Sequence, residues 1–142
     1  MAKQISIFLE NKAGRLSRVT RVLGEAGINI RALSLADTSD FGILRIIVND
    51  PEKAYEVLKA GDFTASITEV VAVQLPDVPG SLANILEQMA EIDINIEYLY
   101  AFLGGSNNNA LVIFKVEDIN KAMETFAAKG IPYVSDEQLY EL

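Results

Sequence analysis

The alternation of apolar and polar residues predicts a strand at the start of the chain, followed by a helix. Every second position from residue 5 is apolar, namely Ile5, Ile7 and Leu9, as in a strand with one buried face. After a break at 11–14, apolar residues recur three and four positions apart, which is typical of an amphipathic helix packed on a sheet. Further along, the pattern predicts strands at 29–35, 42–48 and 63–68, and Asp50-Pro51 predicts the start of a second helix.

The second half of the chain repeats this order. The residues that recur 66 positions later are Gly14 as Gly80, Leu16 as Leu82, Asn29 as Asn95 and Ile30 as Ile96. The repeat predicts strands at 70–75, 95–103, 110–116 and around 133–134, and helices at 82–92 and 120–129. Since an internal repeat indicates duplicated structural units, we expect two domains, 1–69 and 70–142, with no flexible linker.

Each half therefore reads strand, helix, strand, strand, helix, strand, which is the order of a ferredoxin-like βαββαβ unit of the α+β class. In the strand order 4-1-3-2 the second strand lies at an edge, where its free backbone groups need a partner. We expect the strand from Asn29 to pair with the strand from Asn95. The two units would then pack side by side as one eight-stranded antiparallel sheet with helices on one face. Residues 137–142 either extend the last strand or trail off.

The composition of the chain argues against several kinds of function. The 142 residues include no cysteine and no histidine, so thiol and imidazole chemistry is excluded, and no phosphate or dinucleotide fingerprint is present. We expect a protein that is not an enzyme and that has no cofactor and no metal. The net charge of −8 argues against nucleic-acid binding, and no apolar run is long enough for a membrane span. With no signal-peptide core at its start, the chain is expected to be cytoplasmic.

Two segments carry a family resemblance. They are Asn11-Lys12-Ala13-Gly14-Arg15-Leu16 and Asp77-Val78-Pro79-Gly80-Ser81-Leu82. Each is followed by a helix and then by Ile-Asn-Ile, and together they resemble the signatures of the ACT domain, in tandem over nearly the whole chain. The first copy has Ala13 where the family favours proline, and the second has Asp93 in place of a glycine. The resemblance implies a module that binds amino acids or related metabolites at the interface between paired domains.

The residue types also suit a zwitterion. Gly14 and Gly80 permit close backbone approach, and each following helix offers N–H donors to a carboxylate. Asparagine and aspartate oxygens can accept from an ammonium, and we expect these stretches to lie at the same end of the sheet. The resemblance implies ligand roles for Asn11, Gly14, Arg15, Leu16, Asn29, Asp77, Gly80, Ser81, Leu82 and Asn95. The alternative is that these residues only form turns.

Three further patterns leave alternatives open. Arg15, Arg18 and Arg21 are three apart on the first helix, where the second copy has Ser81, Asn84 and Glu87; they face either an anion or solvent. Tyr98, Tyr100 and Phe102 alternate on one strand and either line a pocket or interface or pack in the core. The segments 37–40 and 104–109 hold oxygen ligands but lack the EF-hand spacing, so plain turns are favoured over a calcium site.

Our first hypothesis is a non-catalytic regulator that binds an amino acid at the junction of two ACT-like units and is read by an enzyme or transporter. A second copy of the chain is a further candidate partner, as a homodimer. The alternative is a regulatory subunit that docks to a separate enzyme of amino-acid metabolism with little ligand binding of its own. The small subunits of acetolactate synthase resemble such a protein in part.

Overall fold

The computed structural model describes residues 2–37, 40–102 and 109–140. Within these ranges the chain forms seven strands and five helices. In chain order they are β1 (Ala2–Glu10), α1 (Arg15–Glu25), β2 (Ile30–Asp37), β3 (Phe41–Val48), α2 (Pro51–Ala60), β4 (Thr64–Pro76), α3 (Ser81–Glu91), β5 (Ile96–Phe102), β6 (Asn109–Val116), α4 (Ile119–Lys129), β7 (Tyr133–Val134) and α5 (Asp136–Tyr140).

The chain divides into two compact units, Lys3–Thr68 and Glu69–Tyr140. The strand order is β2-β3-β1-β4 in the first unit and β5-β6-β4-β7 in the second. The pairs β1–β3, β2–β3, β4–β6, β4–β7 and β5–β6 are antiparallel. This is the ferredoxin-like order 4-1-3-2, so the predicted α+β fold class is confirmed. The second strand of each unit, β2 or β5, lies at an edge as expected.

The eight-strand count is wrong, because the described residues form seven strands. The segments predicted as separate strands at 63–68 and 70–75 are one continuous strand, β4. No residue between them breaks the extended backbone, since Thr68, Glu69 and Val70 include neither glycine nor proline. The predicted pairing of the strands from Asn29 and Asn95 is also wrong for the described chain, because β2 bonds to β3 and β5 to β6. The chain continues through β4, which lies at the opposite edge of the first unit from β2.

The helix ends follow the sequence signals. The Asp50 side chain caps α2 by accepting from the Lys53 N–H at 3.2 Å, and Asp118 caps α4 in the same way at 3.1 Å from the Lys121 nitrogen. After α1 the chain turns through Gly27 at φ +77°, and Asp93 takes the corresponding left-handed conformation at φ +57°. Aspartate tolerates this region better than most residues, so the missing glycine leaves the turn intact.

We expect Asp50→Ala to lower the free energy of unfolding by about 1 kcal/mol, because the Lys53 N–H loses its acceptor at the helix start. Denaturant unfolding followed by circular dichroism measures the change. Glu56→Ala is the matched control, since Glu56 is exposed within the same helix and alanine is a strong helix former. Equal stability of the two variants would show that the cap does not stabilise α2.

Each unit has its own apolar core between its sheet and its helices. In the first unit the predicted face of β1, Ile5, Ile7 and Leu9, is buried against Val19 and Leu23 of α1. In the second unit the core is built in the same way from residues of its sheet and helices. These include Val71, Val73, Ile85, Met89, Phe114 and Phe126. The helical periodicity therefore predicted the buried stripe of both first helices correctly.

The segment after β7 is a helix and neither extends the strand nor trails off within the described residues. Ser135 and Gln138 form a capping box: the Gln138 N–H donates to Ser135 Oγ at 3.2 Å, and the Ser135 N–H donates to Gln138 Oε1 at 3.1 Å. The Ser-x-x-Gln spacing that forms this box is visible in the sequence. Leu139 is the buried residue of this helix, α5. Residues 141 and 142 lie outside the described ranges.

Candidate ligand-binding site

The loop after β1 is held against the far end of β2 by two hydrogen bonds of Asn11. Its side-chain nitrogen donates to Asp37 Oδ1 at 3.2 Å, with Oδ2 at 3.5 Å. Its backbone N–H donates to the Asp40 carbonyl oxygen at 2.9 Å. The Asp37 carboxylate therefore lies beside the predicted ligand loop, although the sequence analysis did not select it as a site residue. The hydrogen bonds give Asn11 and Asp37 fixed positions at the surface.

A small pocket of about 80 Å³ opens between this loop and the end of β2. Two predicted ligand residues, Asn11 and Leu16, line it together with Asp37 and Leu35. Gly14, Arg15 and Asn29 are not among its lining residues. Because sites for drug-sized molecules measure roughly 300–1,000 Å³, this pocket holds only part of a small ligand unless another surface closes over it.

The start of α1 beside the pocket is open to an anion. Gly14 precedes the helix at φ +88°, a left-handed conformation that strains any side chain, and no side chain caps the helix. The first turn also contains no acidic residue. Gly80 has the same φ of +88° at the start of α3, which is likewise uncapped. The first-turn N–H groups and the positive end of the helix dipole therefore favour a carboxylate at both places.

The charges at the first loop are partly balanced. Lys12 Nζ lies 2.9 Å from Glu10 Oε2, and the hydrogen bond from Lys12 lowers the pKa of the Glu10 carboxyl below its ordinary value. Lys12 and Glu10 both line the pocket, together with Asp37. A ligand that carries both an ammonium and a carboxylate meets groups of both signs at this loop.

Arg15 and Arg18 pack on an aromatic ring of their own unit. Their guanidinium carbons lie 5.7 and 5.8 Å from the centre of the Phe63 ring, within the range of cation–π attraction. The Arg15 Nε is buried without a hydrogen-bond partner. The Phe63 ring is a partner that neither alternative from the sequence, an anion or solvent, included. Arg18 and Arg21 are nevertheless exposed, as in the solvent alternative, whereas Arg15 is half-buried. The aromatic partner comes from the turn after α2, which sequence spacing does not reveal.

Asn29 lies at the opposite end of its unit from Asn11, so the expectation of one shared end is wrong. Asn11 contacts the last residue of β2, whereas Asn29 precedes its first residue. At about 3.3 Å per residue, the eight residues of β2 separate the two by roughly 26 Å. Asn29 instead pairs with Asn49 at the end of β3, its N–H donating to Asn49 Oδ1 at 2.9 Å.

Asn95 is placed in the same way in the second unit. Its carbonyl oxygen accepts from the Glu117 N–H at 3.1 Å, beside the start of α4. It lines a polar pocket of about 430 Å³ with Asp93, Asp118 and Lys121. A helix between consecutive parallel strands returns the chain to the far end of the sheet, so Asn29 and Asn95 cannot join the loops of their own units.

The second predicted loop is described only on one side. Asp77 and Gly80 lie between β4 and α3, and the Ser81 N–H donates to the Val78 carbonyl oxygen at 3.3 Å. Leu82 follows on the exposed side of the helix. Leu103, which occupies the position corresponding to Asp37, and the turn at 104–108 lie outside the described residues, as does most of the proposed calcium-like segment there. Thr38 and Ser39 of the first such segment also lie outside them.

Large apolar side chains are exposed next to the first loop. Leu33 and Leu35 on the edge strand β2 are 56% and 50% exposed, and Leu16 on α1 is 39% exposed. The second unit exposes Leu82 on α3 and Leu99 on β5 at the corresponding positions. Leucines grouped at an unpaired strand edge are unusual on a surface that stays in water.

The remaining predicted features fall elsewhere. Tyr100 is buried and Tyr98 is partly buried, which favours packing over a pocket for Tyr100; the side chain of Phe102 lies outside the description. Phe8 and Phe41 line an apolar pocket of about 390 Å³ in the first unit, and its lining shares Asp37 with the loop pocket. Among residues 2–37, 40–102 and 109–140, no group of three His, Cys, Asp or Glu side chains could hold a metal ion. No helix in those ranges is long and apolar enough to span a bilayer.

Two ferredoxin-like units in tandem, each with an uncapped helix after a glycine turn at the end of its first strand, define a protein built from two copies of one small α+β module. The model of the ACT domain pair matches residues 1–142, and the chain belongs to this family. No match was found among curated proteins.

Several solved structures have a similar fold. A protein from Bacteroides thetaiotaomicron is 45% identical, covers 99% of this chain and 96% of its own, and superposes with a TM-score of 0.94. The regulatory subunit of aspartate kinase from Thermus thermophilus, in a ligand-free form, is 19% identical, covers 89% and 91%, and has a TM-score of 0.65. The corresponding subunit from Thermus flavus is 17% identical, covers 89% and 88%, and has a TM-score of 0.63. At these identities the two kinase subunits show the fold alone.

Proposed function

We propose that this protein is a non-catalytic regulator that binds an amino acid or a related metabolite through the loops after the first strand of its two ACT-like domains, 1–69 and 70–142. The bound effector orders that surface, and a separate enzyme or transporter of amino-acid metabolism in the cytoplasm recognises the ordered form. An effector shifts the equilibrium between two states of a protein only by binding one state better than the other. A partly open loop site allows this difference in affinity.

The observation that carries the proposal is the position of the Asn11–Asp37 pair beside the open start of α1. The two groups of a zwitterion need an acceptor for the ammonium and donors for the carboxylate. Asp37 supplies the first as a charged oxygen within 3.2 Å of Asn11. The uncapped first turn after Gly14 supplies the second. No other part of the described first unit combines an exposed carboxylate with an uncapped helix start.

The exposed leucines support a site that a second surface completes. The pocket of about 80 Å³ is too small to enclose an amino acid with its side chain, and Leu16, Leu33 and Leu35 remain exposed around it. Another ACT-like surface, such as that of a second copy of the chain, would cover these leucines and enclose the ligand between domains. The ligand would then favour pairing, because it contacts both sides of the interface.

The second candidate function is a regulatory subunit that docks to an enzyme with little ligand binding of its own. The apolar pocket of about 390 Å³ favours it, because Phe8 and Phe41 are each about half exposed there and would be covered by a partner. The aspartate kinase regulatory subunits have the same fold. A partner of this kind would be an enzyme of amino-acid metabolism.

The proposal predicts a selective rise in melting temperature with one or a few of the twenty amino acids at millimolar concentration. A ligand that binds only the folded state adds about 2.7 kcal/mol at one hundred times its Kd, which should raise the melting temperature by several degrees. Differential scanning fluorimetry measures the shift, and the Asn11→Ala/Asp77→Ala variant is the control that should lose it.

The absence of any shift with all twenty amino acids would contradict the ligand-binding function and favour the docking subunit. A shift that persists in Asn11→Ala/Asp77→Ala would place the ligand away from the two loops. Catalytic turnover of a metabolite by the purified protein would contradict the regulatory assignment altogether.

A further inference from the structure

The second unit contains an open pocket of about 420 Å³ on the flank of α3. It lies between this helix, the end of β4 and the turn after α4, so all of its lining belongs to Glu69–Tyr140. Three carboxamide side chains, Gln74, Asn84 and Gln88, line it over a floor that includes Ile131. Its volume falls within the usual range of small-molecule sites.

The corresponding place in the first unit is filled. Asn84 stands 66 positions after Arg18, and Ile131 stands 68 positions after Phe63. In the first unit the guanidinium of Arg18 lies 5.8 Å from the centre of the Phe63 ring, on the flank of α1, and Arg15 packs on the same ring at 5.7 Å. Smaller side chains at these positions leave the second flank open. The two units have therefore diverged at this place, although their backbone order is the same.

The charge of the pocket points to an acid. Its described lining includes one cationic residue, Lys129, and no carboxylate, although the second half of the chain has eleven acidic residues and three lysines. Lys129 Nζ lies 3.4 Å from Glu91 Oε2, but Glu91 is largely exposed, so this ion pair is weak and can be exchanged. Among the described lining residues an ammonium has no carboxylate to pair with, whereas a carboxylate has Lys129 and the amide N–H donors.

We propose that this pocket binds a small carboxylic acid without an ammonium group, of the 2-oxo acid or hydroxy acid class. The carboxylate lies toward Lys129, the neutral oxygen accepts from the carboxamides of Gln74, Asn84 or Gln88, and the aliphatic part lies on Ile131. Its lining includes Ser81, a predicted ligand residue of the second loop, but the proposal does not depend on the amino-acid site at the first loop, where Asn11 and Asp37 lie. One chain would then respond to an amino acid at one place and to a deaminated acid at another.

Isothermal titration calorimetry of the full chain tests the proposal with three probes that share a branched carbon skeleton: 2-oxoisovalerate, valine and isobutylamine. We expect 2-oxoisovalerate to bind this pocket and isobutylamine not to bind there. Asn84→Arg/Ile131→Phe, which copies the arrangement of the first unit, should weaken 2-oxoisovalerate binding at least tenfold. Arg18→Asn/Phe63→Ile is the matched control and should leave binding at this pocket unchanged.

A second variant keeps the test decisive if Asn84→Arg/Ile131→Phe does not fold. Lys129→Met should weaken 2-oxoisovalerate binding about tenfold and reduce its salt dependence, because it removes the one positive charge of the described lining. In nuclear magnetic resonance spectra of the wild type, the side-chain amide signals of Gln74, Asn84 and Gln88 should shift on titration.

Four outcomes would overturn the proposal: no binding of 2-oxoisovalerate at millimolar concentration, binding unaffected by the pocket variants, equal binding of isobutylamine, or loss of 2-oxoisovalerate binding in Asn11→Ala/Asp77→Ala. The last would place the acid at the loops. A failure of the amino-acid screen with an intact 2-oxoisovalerate response would overturn only the proposed function of the loops, so the two failures are distinguishable.

Discussion

Replacing Phe126 with alanine is expected to lower the stability of the second unit by about 3–5 kcal/mol. Phe126 lies on α4, is fully buried and packs in the same apolar cluster as Met89 and Phe114. Truncation removes the transfer free energy of the ring and leaves a cavity, which the surrounding helices and sheet fill only in part.

Hydrogen exchange of the second-unit amides measures this loss directly, because it reports the stability of each unit separately. Phe8→Ala is the matched control: the same ring is lost, but Phe8 is 50% exposed, so the expected cost is below about 1 kcal/mol. If both variants lost similar protection, burial in the α4 core would not be the source of stability. Loss confined to the first unit would contradict the assignment of Phe126 to its own core.

Replacing Asp37 with alanine is expected to weaken effector binding at the first loop about tenfold or more. Hydrogen bonds to charged groups contribute about 1.5–3 kcal/mol, and this carboxylate is the acceptor proposed for the ligand ammonium. The variant also removes the partner of the Asn11 side chain, which then loses its fixed position. The measurement is calorimetric titration with the amino acid that gives the largest melting shift.

Asp40→Ala is the control for charge, because Asp40 lies in the same turn and contributes its backbone carbonyl, not its side chain, to Asn11. It removes the same formal charge and should leave the affinity within about twofold. If Asp37→Ala and Asp40→Ala weakened binding equally, the effect would be general electrostatics and not a specific contact. If neither had an effect, the ammonium would lie elsewhere.

The candidate site was only partly predictable from sequence. Asn11 and Leu16, two of the predicted ligand residues, line the loop pocket, and Gly14 has a left-handed backbone; their roles in binding stay predictions. Asp37 was not selected as a ligand residue, because the segment 37–40 was interpreted as a plain turn and the residue 66 positions later is Leu103. The strand order could have revealed Asp37, because β1 and β2 both pair with β3 and their last residues lie at the same end of it.

The sequence by itself determined most of the elements, the repeat and the core face of the first strand. Helical and strand periods are set by which side chains face the sheet, so Ile5, Ile7 and Leu9 were correctly assigned to the core. The caps at Asp50 and Asp118 were equally readable, because a cap depends on residues three positions apart.

Only the tertiary structure decided which distant residues meet. It placed Asn29 at the opposite end of the unit from Asn11, set Arg15 and Arg18 on Phe63, and buried Gln4, whose amide donates to Ser6 Oγ at 3.1 Å. These contacts join residues from separate elements or depend on what covers a strand face. Local patterns state which face of an element is apolar, but the partner on that face follows from packing of the whole chain.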